Sequence, residues 1–276
     1  MENKKFDIQN ERIEVLLDKI NKKQIWDEMP VFCFSSDVDW ASEDVMGEYF
    51  RIVNALDIKP TLFVTHESKI IESNFKSGKI ERGIHPNFLA NSSHGSSFYE
   101  IASSCVKFAP EAYGFRSHRL FDVTDITHLL INEFNFKYVS NLGTILHGYI
   151  RPILHESGLV HIPIFFEDGT HLYNQLDLNF KKYGDLFNVP GIKTISFHPM
   201  NFVFNSPNMP FIRHIKDSLT REEYSNIRIE TIDKLKNTEM GIGQTVLNIV
   251  DFVKANRFPI MSLNEVYNTV TGGVVL

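Results

Sequence analysis

An α/β fold of parallel β-α-β units, arranged as a sheet or barrel, is what this sequence predicts, and three observations predict it. Short apolar strand-like runs alternate with helical patterns along the chain. The informative polar residues follow strands: Asp37 and Asp39, His66, His85, Arg116 and His118, and His198. That distribution is expected where a site gathers at the C-terminal ends of barrel strands. Finally, the 276 residues are 43% hydrophobic and contain no repeat, low-complexity tract or Pro/Gly linker that would divide them.

In chain order, Ile13, Leu16, Leu17 and Ile20 at helical spacing predict a helix over 11–28 on the outside of the main fold. Residues 31–36 read as a strand. Ser42 then caps a helix carrying Val45, Met46, Tyr49, Phe50, Val53 and Leu56. Pro60 precedes the strand 61–65, which completes the first β-α-β unit. Strands follow at 80–84, 112–115, 137–140, 159–166 and 193–197, with helices at 98–108 and 124–134. A helix over 243–255 and a strand over 258–262 close the chain. The more polar segment 205–240 reads as a helical excursion within one domain spanning 1–276.

A formal charge of -6 and a pI near 6.0 leave no basic footprint for nucleic acid. The 23 Phe and 2 Trp predict an aromatic-rich core. Cys33, in an apolar strand, and Cys105, in a helical pattern, are the only cysteines, and both read as buried thiols in a reducing compartment. The polar N-terminus has no signal-peptide core, and no run reaches the roughly 18 apolar residues of a membrane span. The expectation is a soluble cytoplasmic protein.

The strongest local signal is Phe32 through Trp40, an apolar run ending in Asp37-Val38-Asp39. If the strand continues through them, the two carboxylates point to one side. Their repulsion and desolvation are relieved by a cation between them or by protonation of one. One acid is then a metal ligand and the other a base. The bland alternative is a helix cap and a turn acid, but Ser42 already suits the cap. His85 before Pro86, and His94 before Gly95, are imidazoles in turn-rich loops. With Asp39 they would make a His-His-carboxylate site with open positions. Asn87 is the alternative oxygen ligand. Arg116 at a strand end can hold the catalytic acid by a bidentate pair. Glu167-Asp168-Gly169 is either an ordinary turn or an acid that orients a histidine. His198 before Pro199 can protonate a leaving group.

The order of these pieces resembles the polysaccharide deacetylase family, carbohydrate esterase family four, and more closely its WbmS-like subgroup, over about residues 31–200. The resemblance implies a distorted (β/α)7-type barrel. It makes Asp37 the general base, Asp39 and His85 metal ligands, Arg116 the arginine of the third motif and His198 the catalytic acid. The chain departs from the pattern where the usual second histidine, four residues after His85, is Leu89; His94 is the replacement expected here. Arg116 lacks the usual neighbouring proline, and Glu167-Asp168 matches the fourth motif poorly.

The resulting expectation is a metal-dependent hydrolase, with zinc first among divalent ions. Asp39, His85 and His94 hold the ion, and Asp37, Arg116 and His198 carry the catalysis. The substrate is an N-acylated amino sugar, as a sugar nucleotide or lipid-linked saccharide in surface-polysaccharide synthesis. The alternatives are an amidohydrolase acting on a non-sugar C–N bond, and a catalytically degenerate protein that binds a saccharide or a partner.

Overall fold

A computed structural model describes residues 13–272. Nine strands form one curled sheet, a half-barrel. They are β1 (Pro30–Asp37), β2 (Thr61–Val64), β3 (Glu81–Ile84), β4 (Gly114–Phe115), β5 (Tyr138–Val139), β6 (Ile153–Leu154), β7 (Val160–His161), β8 (Phe166–Glu167) and β9 (Gly191–Ser196). The order across the sheet is β6-β7-β5-β4-β3-β2-β1-β9-β8, and every pairing except β6–β7 is parallel. Helical connections between successive parallel strands impose this arrangement.

Strand β1 is buried along its whole length, and its two faces feed different cores. Phe32 and Phe34 pack with the outer helices Glu43–Val53, Phe98–Phe108 and Ile242–Ala255, while Val31 and Cys33 pack with Leu263, Val266 and Val270 of the helix Leu263–Thr271. Ser35 and Asp37 share the second face by the two-residue period, so that face turns polar only at the strand's C-terminal end. The phenylalanine excess is packing: Phe32, Phe187, Phe252 and Phe258 form a chain of ring contacts with centroids 5.7–6.5 Å apart. Cys33 and Cys105 are buried free thiols.

The helices 98–108 and 124–134 lie where the periodicity puts them, and Ser42 does cap Glu43–Val53, accepting from the Val45 N–H at 3.2 Å. Other elements differ. Residues 11 and 12 fall outside the described residues. The helix there covers 13–20 and stops short of 28, where the chain instead makes a 3-10 turn at Ile25–Asp27. The run 159–166 is two strands, because Pro163 cannot donate to a ladder. Its first part pairs with β5 and its second with β9, so one extended run serves both ends of the sheet. Residues 258–262 make only a bridge from Ile260 to Phe32. The helices Lys69–Lys76 and Leu263–Thr271 are additional to the sequence reading.

The segment 205–240 is clipped at its base by Asn205 and Asn237, each donating its side-chain amide to the other's backbone carbonyl at 3.1 and 3.0 Å. It is fastened to the barrel where the Ser42 hydroxyl donates to the Ile227 carbonyl at 2.6 Å.

Candidate active site

The sheet ladder delivers the polar residues to one rim. His85, Arg116 and Ser140 each follow the last residue of a strand, and their backbone N–H groups donate to Val64, Ile84 and Phe115 on the neighbouring strand. Each functional side chain therefore starts from a fixed rung. Asp37 is the last residue of β1. The strand does not continue to Asp39: Asp39 and Trp40 take φ of 47° and 57°, the left-handed region. This costs of order 1–3 kcal/mol per residue and is the kind of strain found at functional sites.

Asp39 Oδ1 lies 3.2 Å from His85 Nε2 and 2.9 Å from His118 Nδ1, and the two histidine nitrogens are 3.4 Å apart. One ligand atom from each of the three residues lies within 4.8 Å of the others. His85 Nδ1–H donates to the Arg116 carbonyl at 2.7 Å, which leaves the Nε2 lone pair for the cluster. Two imidazole nitrogens and a carboxylate converging on one point form a donor set that fits a divalent cation. Burial pushes the Asp39 carboxyl up, but in the metal-free protein the His118 and His85 rings beside it outweigh that and hold the group well below the usual carboxylate range.

Arg116 is fully buried and uses all five N–H groups. Nε donates to the Ser140 carbonyl at 2.9 Å. Nη1 reaches Asp37 Oδ1 at 2.8 Å and Ser196 Oγ at 2.7 Å. Nη2 reaches Ser35 Oγ at 3.0 Å and Ser140 Oγ at 2.8 Å. Its guanidinium also lies over the Phe63 ring. Burial raises the Asp37 carboxyl, but the Arg116 charge, followed by His85 and His198, leaves it below its ordinary value. Asp37 is thus a desolvated carboxylate kept ionised.

His198 is held by Asp168, whose Oδ1 lies 2.6 Å from Nδ1 and whose Oδ2 accepts from the His198 backbone N–H at 2.8 Å and from Asn201 at 3.0 Å. The other ring nitrogen, Nε2, faces Asp39 Oδ2 at 3.7 Å. Burial disfavours the charged imidazole, but Asp168 outweighs it and holds His198 well above its usual value. Of the two sequence readings of Glu167-Asp168, the geometry matches an acid that orients a histidine. Glu167, Asp168 and His198 also lie close enough to share a cation. However, Glu167 caps the turn at Gly169 and Thr170, and Asp168 spends both oxygens on hydrogen bonds.

His94 is not where the sequence reading expects it. Its Nε2–H donates to the Thr65 carbonyl at 2.8 Å, and its Nδ1 accepts from the Asn87 N–H at 3.1 Å with Cys105 Sγ at 3.2 Å. With both nitrogens engaged it is a buried structural histidine stacked on Trp40. His118 takes the place beside Asp39 and His85. Nor is Asn87 a ligand in the cluster, since its side-chain oxygen accepts from the Leu89 N–H at 3.1 Å. His66 bonds its own neighbour, Thr65 Oγ1, at 2.9 Å. His118 carried one sequence signal, a position two residues past a strand-end arginine.

Comparison with known proteins bears on the family and the fold. A family model described as WbmS-like polysaccharide deacetylase matches residues 34–216. A crystal structure from Bordetella bronchiseptica, described as a candidate polysaccharide deacetylase involved in O-antigen biosynthesis, superposes with a TM-score of 0.69. It is 24% identical to this chain, and the match covers 80% of this chain and 90% of that one. At that identity the likeness speaks for the fold. No curated protein matches the chain.

Proposed function

The chain belongs to the WbmS-like polysaccharide deacetylase family, and from that premise we propose that it hydrolyses the N-acyl amide of an amino sugar, releasing acetate and the free amine. The observation that carries the reading is the convergence of Asp39, His85 and His118, flanked by an arginine-held carboxylate and an aspartate-held histidine. Asp39, His85 and His118 would hold a divalent ion, zinc first. When bound, it supplies a Lewis acid that polarises the amide carbonyl and makes water nucleophilic at neutral pH.

The chain's own residues handle the protons. Asp37 accepts one from the attacking water as the oxygen–carbon bond forms. Arg116 keeps Asp37 ionised and, with its other donors fixed on Ser35, Ser140 and Ser196, aims it. His198, charged through its bond to Asp168, donates from Nε2 to the nitrogen as the C–N bond breaks. The reading of a silent binding protein rests on a missing second histidine and a weak fourth motif; His118 and Asp168 are candidates for both roles. Following the Bordetella protein's description, the substrate class proposed is an amino sugar of a surface-glycan precursor. No helix among the described residues is long and apolar enough to cross a membrane.

The test is acetate release from N-acetylated amino sugars by metal-loaded protein. Asp37→Asn should abolish turnover while metal stays bound; full turnover in that variant would remove Asp37 from the mechanism. Absence of acetate release across neutral, phosphorylated and acidic N-acetyl sugars would overturn the deacetylase reading.

A further inference from the structure

The excursion 205–240 brings a cation to the metal cluster. Arg221 opens the short helix Arg221–Ser225, and its guanidinium lies 5.9 Å from the centroid of the Trp40 ring. The same ring meets His118 edge-on at 5.3 Å and stacks on His94 at 5.4 Å. Trp40 directly follows Asp39, and both are held in left-handed conformations. Arg221 thus sits one aromatic ring away from the metal-site histidine His118.

The backbone that carries Arg221 is anchored, and its side chain is exposed. Thr220 and Glu223 form a reciprocal cap at the start of the helix. After its end, buried Ile227 accepts from Ser42, and the Ile229 N–H donates to Asp44 at 3.1 Å. Glu223 is occupied by Thr220, and the Arg221 guanidinium makes no ion pair among the described residues. Every other cation named at the rim is neutralised in place: Arg116 by Asp37, and His198 by Asp168. An exposed guanidinium without a counter-ion among the described residues, beside an aromatic face, has the chemistry of a clamp for a planar or tetrahedral oxyanion.

We propose that Arg221, backed by Trp40, anchors an anionic substituent of the substrate, a phosphate or a carboxylate carried by the amino sugar, while its amide lies at the metal cluster. This rests on the deacetylase reading for the location of the amide, and it deepens that reading. The enzyme would favour a glycosyl phosphate or an acidic amino sugar over a neutral glycan.

Binding is measured by calorimetry on metal-loaded Asp37→Asn protein, to prevent turnover. The probes are N-acetylglucosamine 1-phosphate, 2-acetamido-2-deoxyglucuronate and neutral N-acetylglucosamine. At least one anionic sugar should bind about tenfold to a hundredfold tighter than the neutral one, the range set by a charge-assisted hydrogen bond. Arg221→Gln should remove that preference, and Arg221→Lys should retain part of it. A preference for the phosphate identifies a glycosyl phosphate, and one for the uronate an acidic sugar. Equal binding of all three, or a preference that survives Arg221→Gln, would overturn the proposal. Acetate release by the wild-type protein is read separately. If it is absent while the Arg221-dependent preference is present, the deacetylase reading fails alone. If it is present with kcat/KM on every anionic substrate unchanged in Arg221→Gln, the anchor fails alone.

Discussion

Replacing Arg116 by Met tests whether the centre of the barrel is held together by one charge. Met keeps an unbranched apolar stem, is shorter than Arg and carries no donor. The substitution strands Asp37, which is only 5% exposed, and leaves the Ser140 carbonyl without its partner. Removing one member of a buried ion pair costs about 3–5 kcal/mol, because the other charge stays desolvated. For a chain of this size that is a fall in Tm of about 6–20 °C. The assay is urea unfolding of metal-free wild type, Arg116→Met, Asp37→Asn and the double variant. Asp37→Asn removes the stranded charge, so the double variant should recover about 2–3 kcal/mol relative to simple additivity. Arg116→Met should also move the acid limb of kcat/KM to higher pH, because burial then raises Asp37 without the opposing guanidinium. A loss under about 1 kcal/mol, the level of a surface pair, would refute the argument. Strict additivity in the double variant would do the same.

Further outcomes follow from the same contacts. Metal content by mass spectrometry should be lost in Asp39→Ala, His85→Ala and His118→Ala and kept in His94→Ala; metal lost with His94 and kept without His118 would restore the sequence expectation. Asp168→Asn takes away the main support for the charged form of His198, so the basic limb of the pH profile should move down and kcat should fall by about 10²–10⁴; an unchanged limb would mean that another group donates the proton. In metal-free protein, Asp37 and Asp39 are depressed, so their contribution is present above about pH 4 and lost as pH falls through their folded values. The raised His198 contributes below about pH 6.5, and that contribution is lost as pH rises through its folded value, so stability should peak between these limits; a peak above pH 8 would contradict this. Gly114→Ala would set a methyl group 2.0 Å from the Tyr138 ring, deep in the sheet where the ring has little room to move, at a cost of about 1–3 kcal/mol in urea.

Much of this protein was legible in its residues alone. Apolar runs bounded by caps and prolines marked most strands and outer helices, because burial on both faces demands continuous hydrophobicity. Once strand ends were located, Asp37, Asp39, His85, Arg116 and His198 followed as their C-terminal neighbours. Which histidine completes the cluster was a matter for the tertiary structure. His85, His94 and His118 offer the same imidazole, and sequence spacing does not reveal which lone pairs are already used. Thr65, just past a strand end, takes the His94 donor, and the Asn87 N–H takes its acceptor, while the Arg116 carbonyl fixes the His85 ring and the turn after Ser117 brings His118 beside Asp39. Asp168 reaches His198 from 30 positions away, and Arg221 crosses about 180 to cover Trp40. The chain sets local conformation within a few residues, but contacts at those separations exist only once the sheet has curled and the excursion has closed over its rim.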